Sequence, residues 1–131
     1  MGKSFMQSIQ NARLEDSGFH YTLSVINGKY KMVILYTLAA FGVVRFNELK
    51  RFIGIIPYKT LSNSLKELEA DGLILREEYP QVPPKVEYSL SERGESLIPI
   101  LHLMCEWGEE HHDLKSSESH GSDETPNGHE G

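Results

Sequence analysis

The most constraining feature of this 131-residue sequence is the segment at residues 45–74, RFNELKRFIGIIPYKTLSNSLKELEADGLI. Hydrophobic side chains recur there at three- and four-residue spacing on both sides of Gly54. They are Phe46, Leu49 and Ile53 before the glycine, and Leu61, Leu65 and Leu68 after it. This pattern predicts two short amphipathic helices joined by a tight turn, with Pro57 at the first position of the second helix.

The side of the second predicted helix that lies opposite its leucines is polar and basic. At 100° per residue the leucines fall within about 60° of one another. Lys59, Asn63 and Lys66 then project from the other side, with Ser62 beside them. The first acidic residue is Glu67, so the N-terminal half of this face carries no negative charge. A solvated surface is the simplest interpretation of such a face, and contact with DNA phosphates and base edges is the alternative.

The negative charge of the chain is concentrated at its C-terminal end. The net charge is -6, but residues 1–108 hold twelve basic and twelve acidic residues. Residues 109–131 hold one basic and seven acidic residues. Within residues 45–66 there are five basic side chains and a single acid, Glu48. The pair of predicted helices is therefore the basic part of the chain, and it favours a nucleic-acid partner.

Three helices are predicted on the N-terminal side of this pair. Residues 4–13, SFMQSIQNAR, form a short helix that needs a partner surface. Residues 20–27 form a second helix with Gly28 as its C-cap. The dipeptide Asn27-Gly28 is also a hairpin signal, but the apolar residues around it recur at helical spacing. The sequence KYKMVILYTLAAF, which ends at Gly42, predicts the most buried helix.

After Gly72 the apolar residues alternate, which predicts two strands. The apolar members are Leu73, Leu75 and Tyr79 in the first strand and Val86, Tyr88 and Leu90 in the second. The loop between the strands, PQVPP, contains three prolines. Ser91 is predicted to cap one long final helix that Pro99 kinks. From about Asp113 the sequence is too poor in apolar residues to offset the entropy of ordering, which predicts disorder.

Several functional classes find no support in the sequence. The longest apolar run has 13 residues, against about 20 for a bilayer-spanning helix, and no secretory signal is evident. We therefore expect a cytoplasmic protein without a membrane partner. The residue sets of common catalytic sites are missing, so neither an enzyme nor a cofactor is expected. A metal site at His111-His112 is disfavoured, because adjacent side chains on a helix diverge by about 100°.

The order of elements, helices followed by a helix-turn-helix and a β-hairpin, is that of a winged helix. The predicted fold is mainly α with a small β-hairpin, flanked by N- and C-terminal dimerisation helices. Three regions are expected: an N-terminal arm or dimerisation helix at 1–16, the winged helix-turn-helix domain with its C-terminal helix at 17–112, and a disordered acidic tail at 113–131. In this fold the second helix of the pair, the recognition helix, enters the major groove of DNA.

The sequence also resembles the HxlR-type family of bacterial winged-helix transcription regulators over about residues 17–108. The most specific stretches are LKELEADGLI, YPQVPPKVEYSLSERG and the closing Trp107-Gly108. The resemblance implies a homodimer, joined mainly through its terminal helices, that binds an inverted repeat in double-stranded DNA. Ser17 stands where members that sense oxidants have cysteine. Pro57 stands where the family commonly has a serine N-cap.

The residues predicted to contact DNA are Arg45, Tyr58, Lys59, Thr60, Ser62, Asn63, Lys66 and Lys85. Tyr58 lies at the edge of the apolar stripe, and both inward packing and backbone contact remain open for it. A winged helix that binds proteins instead of DNA is an alternative function. A ligand- or thiol-responsive switch is a second alternative, although no effector can be named. The single thiol, Cys105, lies on an apolar stripe and is interpreted as a core residue.

Overall fold

The computed structural model describes Met6, Gln7, Gln10 and residues 13–122. The chain divides into two compact units, Met1–Ser96 and Leu97–Gly131. The helix predicted at residues 4–13 lies mostly outside the described residues. The first continuous structure is a 3-10 turn at Leu14–Asp16, which leads directly into helix α1.

The first two helices have the predicted order, but the first begins two residues before His20, and its C-cap is Asn27 and not Gly28. Helix α1 spans Gly18–Ile26, and the Ser17 hydroxyl accepts a hydrogen bond of 3.0 Å from the His20 N–H as its N-cap. The following Gly28 has a φ of 154°, so the Asn-Gly pair ends a helix and does not form a hairpin. Helix α2 spans Lys31–Phe41. It is deeply buried, as predicted, with Ile34, Leu35, Thr37 and Leu38 at most 1% exposed.

The helix-turn-helix is confirmed. Helix α3 spans Phe46–Ile53 and ends at Gly54, whose φ is 86°. Helix α4 spans Tyr58–Ala70, and its three stripe leucines are buried. Pro57 is the N-cap of α4 and not its first helical residue, so the predicted position was wrong by one residue. A proline there still loses nothing, because a cap has no intrahelical N–H bond to give up.

The sheet has one more strand than the hairpin that the sequence predicts. Strand β1 spans Val44–Arg45, β2 spans Ile74–Tyr79 and β3 spans Lys85–Leu90, in the antiparallel order β1-β3-β2. Arg45 pairs with Glu87 across the β1–β3 edge. Strand β1 was missed because two residues are too few to show an alternating pattern. The added strand joins the start of α3 to the hairpin.

The side chains that β2 buries also differ from those that the alternating sequence pattern predicts. Ile74 is 1% exposed, whereas Leu75 is 55% exposed. Side chains two residues apart in a strand share a face, so Arg76 points to the same side as Ile74. Arg76 lies directly opposite Tyr88 of β3. Burial of Ile74 therefore turns an arginine toward the space beside α4.

The predicted long final helix is two helices. Helix α5 spans Glu92–Glu95, and the Ser91 hydroxyl caps it by accepting a 3.0 Å bond from the Gly94 N–H. Helix α6 spans Ile98–Ser122 and forms most of the second unit. Pro99 lies in the first turn of α6, where its missing N–H breaks no hydrogen bond, so the predicted interior kink was wrong.

Helix α6 continues ten residues beyond the predicted boundary at residue 112. Once a helix exists, each further residue adds one hydrogen bond at little additional cost, so its end is weakly specified by composition. Residues 123–131 lie outside the described residues. The three predicted regions, including the acidic tail at 113–131, stay a prediction.

Candidate nucleic-acid interface

The polar face of α4 is oriented by the burial of its opposite side. Leu61, Leu65 and Leu68 are at most 2% exposed, so the helix cannot rotate without exposing them. We define the polar face as the residues on the other side: Lys59, Ser62, Asn63 and Lys66. Lys59, Asn63 and Lys66 are exposed, and Ser62 and the neighbouring Thr60 are half-buried. The sequence-predicted face is thus presented to solvent.

The two lysines of the polar face have no ion-pair partner within residues 13–112. Their ammonium groups therefore keep their charge available for an anion from outside the chain. Of the acids on α4, Glu67 is paired with Lys31 of α2 at 2.9 Å. Lysines without internal partners are well suited to phosphate oxygens, since the ammonium is a compact, mobile point charge.

Tyr58 is the first residue of α4. The sequence left open whether it packs inward or faces outward, and the structure shows a position between these two. Its side chain is 66% exposed, yet its ring lies 4.9 Å from the ring of Phe46, centre to centre. The contact fixes the ring against the first turn of α3 while leaving its hydroxyl free to meet solvent or a ligand. Such tilted aromatic pairs add about 0.5–1.5 kcal/mol beyond the area they bury.

A groove of about 500 Å³ separates α4 from the hairpin. Its polar lining comes from both sides, with Ser62, Lys66 and the acid Glu69 on the helix and Arg76 on β2. Hydrogen bonding to Tyr88 raises the pKa of Arg76 above its ordinary value, and the pairing with Glu78 at 3.3 Å acts in the same direction. Arg76 is therefore a cation beside the polar face, and part of its charge is already balanced by Glu78.

Sequence reasoning missed Arg76 as a candidate contact. The sequence contains one indication, because Arg76 lies two residues after Ile74 and so shares its face of the strand. This indication predicts a position beside α4 only once Ile74, and not Leu75, is known to face inward. Tertiary packing, which buries Ile74 and leaves Leu75 exposed, decides between the two.

The other two predicted contacts lie on the sheet and not on α4. Arg45 is exposed at the start of α3, where its backbone N–H donates a 2.8 Å bond to the Glu48 carboxylate. Lys85 is half-buried at the start of β3, with its Nζ 3.6 Å from Glu87 and 4.6 Å from the centre of the Tyr79 ring. Part of the Lys85 charge is thus already balanced within the hairpin.

The hairpin also holds one tyrosine with a shifted pKa. Partial burial raises the pKa of Tyr79, and the neighbouring carboxylates of Glu77 and Glu87 raise it further. Its phenol therefore stays neutral near pH 7 and can act as a hydrogen-bond donor. The tip beyond it is fully open, with Val82 98% exposed.

Of the two adjacent histidines on α6, His111 has a structural role. The ring of His111 stacks on Trp107 at a centre-to-centre distance of 4.1 Å, and its Nδ1 lies 2.8 Å from the Trp107 carbonyl oxygen. Among the described residues, no group of three potential metal-ligating side chains comes together. Nor does any helix within that part of the chain combine the length and hydropathy needed to cross a membrane.

Comparison with known proteins places this chain among transcriptional regulators of the helix-turn-helix type. Residues 25–116 match the family model described as HxlR-like helix-turn-helix. An HTH-type transcriptional regulator of Halalkalibacterium halodurans is 64% identical over 95 residues, which are 72% of this chain and 84% of that protein. The HTH-type transcriptional regulator YdzF of Bacillus subtilis is 53% identical over 96 residues, 73% of this chain and 88% of its own length.

Solved structures share both the fold and much of the sequence. The redox regulator HypR in its reduced form superposes with a TM-score of 0.71 at 48% identity, covering 77% of this chain and 99% of that one. The HTH-type transcriptional regulator YtcD superposes with a TM-score of 0.70 at 52% identity, covering 74% and 98% of the two chains. At these identities the similarity extends to sequence as well as to topology.

Proposed function

The chain belongs to the HxlR-like helix-turn-helix family, and from that premise we propose that it binds an inverted repeat in double-stranded DNA as a homodimer. It is a transcriptional regulator of the helix-turn-helix type and not an enzyme. The observation that carries the proposal is the polar face of α4, which is exposed, basic and held outward by three buried leucines. Binding of this kind would act in the cytoplasm of a bacterium, where the chromosome is accessible.

Each element near α4 has a role in the proposed complex. The polar face enters the major groove, where Asn63 reads a base edge and Lys59 and Lys66 contact phosphates. Arg76 and Lys85 approach the backbone from the hairpin, and Arg45 from the start of α3. Asparagine is suited to reading because its amide pairs with the N6 and N7 of adenine in a bidentate manner.

Helix α6 supports the proposed homodimer. Ile100, Leu103, Met104 and Trp107 lie at positions i, i+3, i+4 and i+7 of the helix, on one side of it, and are between 45% and 65% exposed. An apolar stripe of this kind on a helix surface marks an interaction site. A second copy of the same helix would cover it symmetrically. The resulting two-fold symmetry is what an inverted repeat requires.

A protein-interaction module is the second candidate function, and the charge of α4 disfavours it. Interfaces with proteins are depleted in lysine at their centres. The polar face instead presents two lysines that have no ion-pair partner within residues 13–112, and helix α4 has no acid in its first two turns.

Substitutions on the polar face test the proposal through their different effects on affinity and on sequence preference. Lys66→Ala should weaken binding to every duplex sequence and reduce the salt dependence by about one ion per protomer. Asn63→Ala should relax the preference at one base position, with a loss of about 1–3 kcal/mol on the preferred duplex only. Fluorescence anisotropy with labelled duplexes at several salt concentrations measures both effects.

Lys66→Arg, which keeps the charge, is the control. Equal affinity of Lys66→Ala and the parent at low salt would contradict the assignment.

A thiol switch is not part of the proposal, although solved relatives include a redox regulator. At the position of the family's sensing cysteine, the Ser17 hydroxyl caps α1 and donates a 2.7 Å bond to the Leu14 carbonyl. The remaining candidate is Cys105, a free and half-buried thiol on α6.

Oxidation should therefore leave DNA binding unchanged. After treatment with diamide we expect no disulfide-linked dimer on a non-reducing gel, because the half-buried Cys105 thiol has limited access to the oxidant and to a second thiol. Cys105→Ser should bind DNA with the affinity of the parent. A reversible crosslink that changes the affinity in the parent and is absent from Cys105→Ser would contradict this expectation.

A further inference from the structure

Lys31 is a buried cation far in sequence from the polar face. It is the first residue of α2, and only 5% of it is exposed. Lysine is almost never buried to this extent without a partner. The partner is Glu67 of α4, whose Oε1 lies 2.9 Å from the Lys31 Nζ. An ion pair thus joins the start of α2 to the recognition helix.

The surrounding chain is shaped around the Lys31 side chain. Gly28 adopts a φ of 154°, and a Cβ at this position would lie 3.2 Å from both Cγ and Cδ of Lys31. The neighbouring Tyr30 donates a 3.0 Å hydrogen bond from its hydroxyl to the carbonyl oxygen of Ile55, in the turn between α3 and α4. Two successive residues therefore reach from the start of α2 to the helix-turn-helix, one to its turn and one to its second helix.

Glu67 lies where an unpaired carboxylate would oppose DNA. It follows Asn63 by one helical turn and projects within about 40° of it around the axis of α4. Its side chain is 62% exposed, so its charge reaches the rim of the polar face. A carboxylate at that rim would repel phosphates and would compete for the Asn63 amide.

We propose that Lys31 is a positioning residue for DNA recognition, which binds the Glu67 carboxylate and cancels its charge at the rim of the polar face. The inference rests on the proposed function, because it assumes that α4 meets DNA. Lys31 itself is buried and touches no DNA. It acts through Glu67, by keeping this carboxylate neutralised and turned toward α2, so that Asn63 and the lysines face the duplex without a competing negative charge.

The test removes the two charges separately and together. The variants are Lys31→Met, which keeps the apolar stem, Glu67→Gln, and the double variant Lys31→Met/Glu67→Gln. Lys29→Met is the matched control. Lys29 is exposed in the turn just before α2 and has no ion-pair partner within residues 13–112. Affinity is measured by anisotropy on a duplex of the chain's own upstream sequence at low and moderate salt. Thermal unfolding is recorded for each variant.

Lys31→Met should bind the duplex about tenfold more weakly than the parent at low salt, and the deficit should shrink as salt screens the exposed carboxylate. The double variant should return to within about twofold of the parent, although the ion pair is absent from it. Lys29→Met should lose less than about threefold. A purely structural role of Lys31 would not give this recovery, because the second substitution cannot restore a lost contact.

Two results would overturn the inference while leaving the proposed function intact. They are a parent-like affinity of Lys31→Met, and a double variant that binds as weakly as Lys31→Met. If Lys31→Met does not fold, Glu67→Gln alone decides. Because Lys31 already cancels the Glu67 charge in the parent, this variant should bind within about threefold of the parent, and a larger change in either direction would overturn the inference. Failure of the folded parent to bind any duplex would overturn the proposed function and this inference together.

Discussion

Replacement of both Lys59 and Lys66 by alanine should weaken binding to duplex DNA by about a hundredfold or more at moderate salt. Both lysines are exposed on the polar face, and neither is paired with a carboxylate within residues 13–112. A homodimer would lose four cations at once, so the slope of log affinity against log salt should fall by about four. Anisotropy titrations at four or more salt concentrations measure the affinity and the slope together.

The control for this variant is Lys59→Arg/Lys66→Arg, which keeps every charge and should retain most of the affinity. Thermal unfolding should be nearly the same for all three proteins, because exposed lysines without partners contribute little to stability. If the folded double alanine variant bound duplex DNA as tightly as the parent, the polar face of α4 would not be the DNA-binding surface.

Gly94→Ala should lower the free energy of unfolding by about 3 kcal/mol or more. Gly94 is buried in α5, and a Cβ at this position would lie only 2.1 Å from the carbonyl oxygen of Leu73 and 3.2 Å from Cδ2 of Leu90. The first of these atoms belongs to the backbone and accepts a 3.0 Å hydrogen bond from the Ser91 N–H. It cannot move aside without breaking that bond. The expected drop in melting temperature is at least about 12 °C.

Gly18→Ala is the matched control for this stability prediction. Gly18 is the first residue of α1, it does not have a positive φ, and a Cβ there would meet nothing within 4 Å. Its replacement should change the melting temperature by no more than about 3 °C. An equally small change for Gly94→Ala would show that α5 does not pack against the start of β2 as closely as the structure indicates.

The elements that the sequence predicted correctly are those with a long, regular pattern. The buried leucines of α4 recur over eight residues, so both the helix and its polar face follow from the helical period. The hairpin follows from the change to an alternating pattern after Gly72. The six candidates at Tyr58, Lys59, Thr60, Ser62, Asn63 and Lys66 lie on one helix, and a single period places them all.

The features that were missed depend on contacts between distant parts of the chain. Strand β1 exists because Val44 and Arg45 pair with β3, and two residues give no local sign of a strand. Arg76 faces the groove because Ile74 packs inward in place of Leu75. The Lys31–Glu67 pair joins two helices whose individual patterns predict neither its distance nor its burial. Local sequence therefore located α4 and its polar face, whereas the side chains that surround this face required the three-dimensional structure.

The most direct test of the central claim is a hydroxyl-radical footprint on the DNA upstream of the chain's own gene. We predict two protected half-sites related by an inverted repeat, with centres about 34–36 Å apart or a multiple of this spacing. The Lys59→Ala/Lys66→Ala variant should lose both half-sites at the protein concentration where the parent protects them. An unprotected upstream region at saturating parent protein, or an identical footprint from the double variant, would contradict recognition of DNA by the polar face of α4.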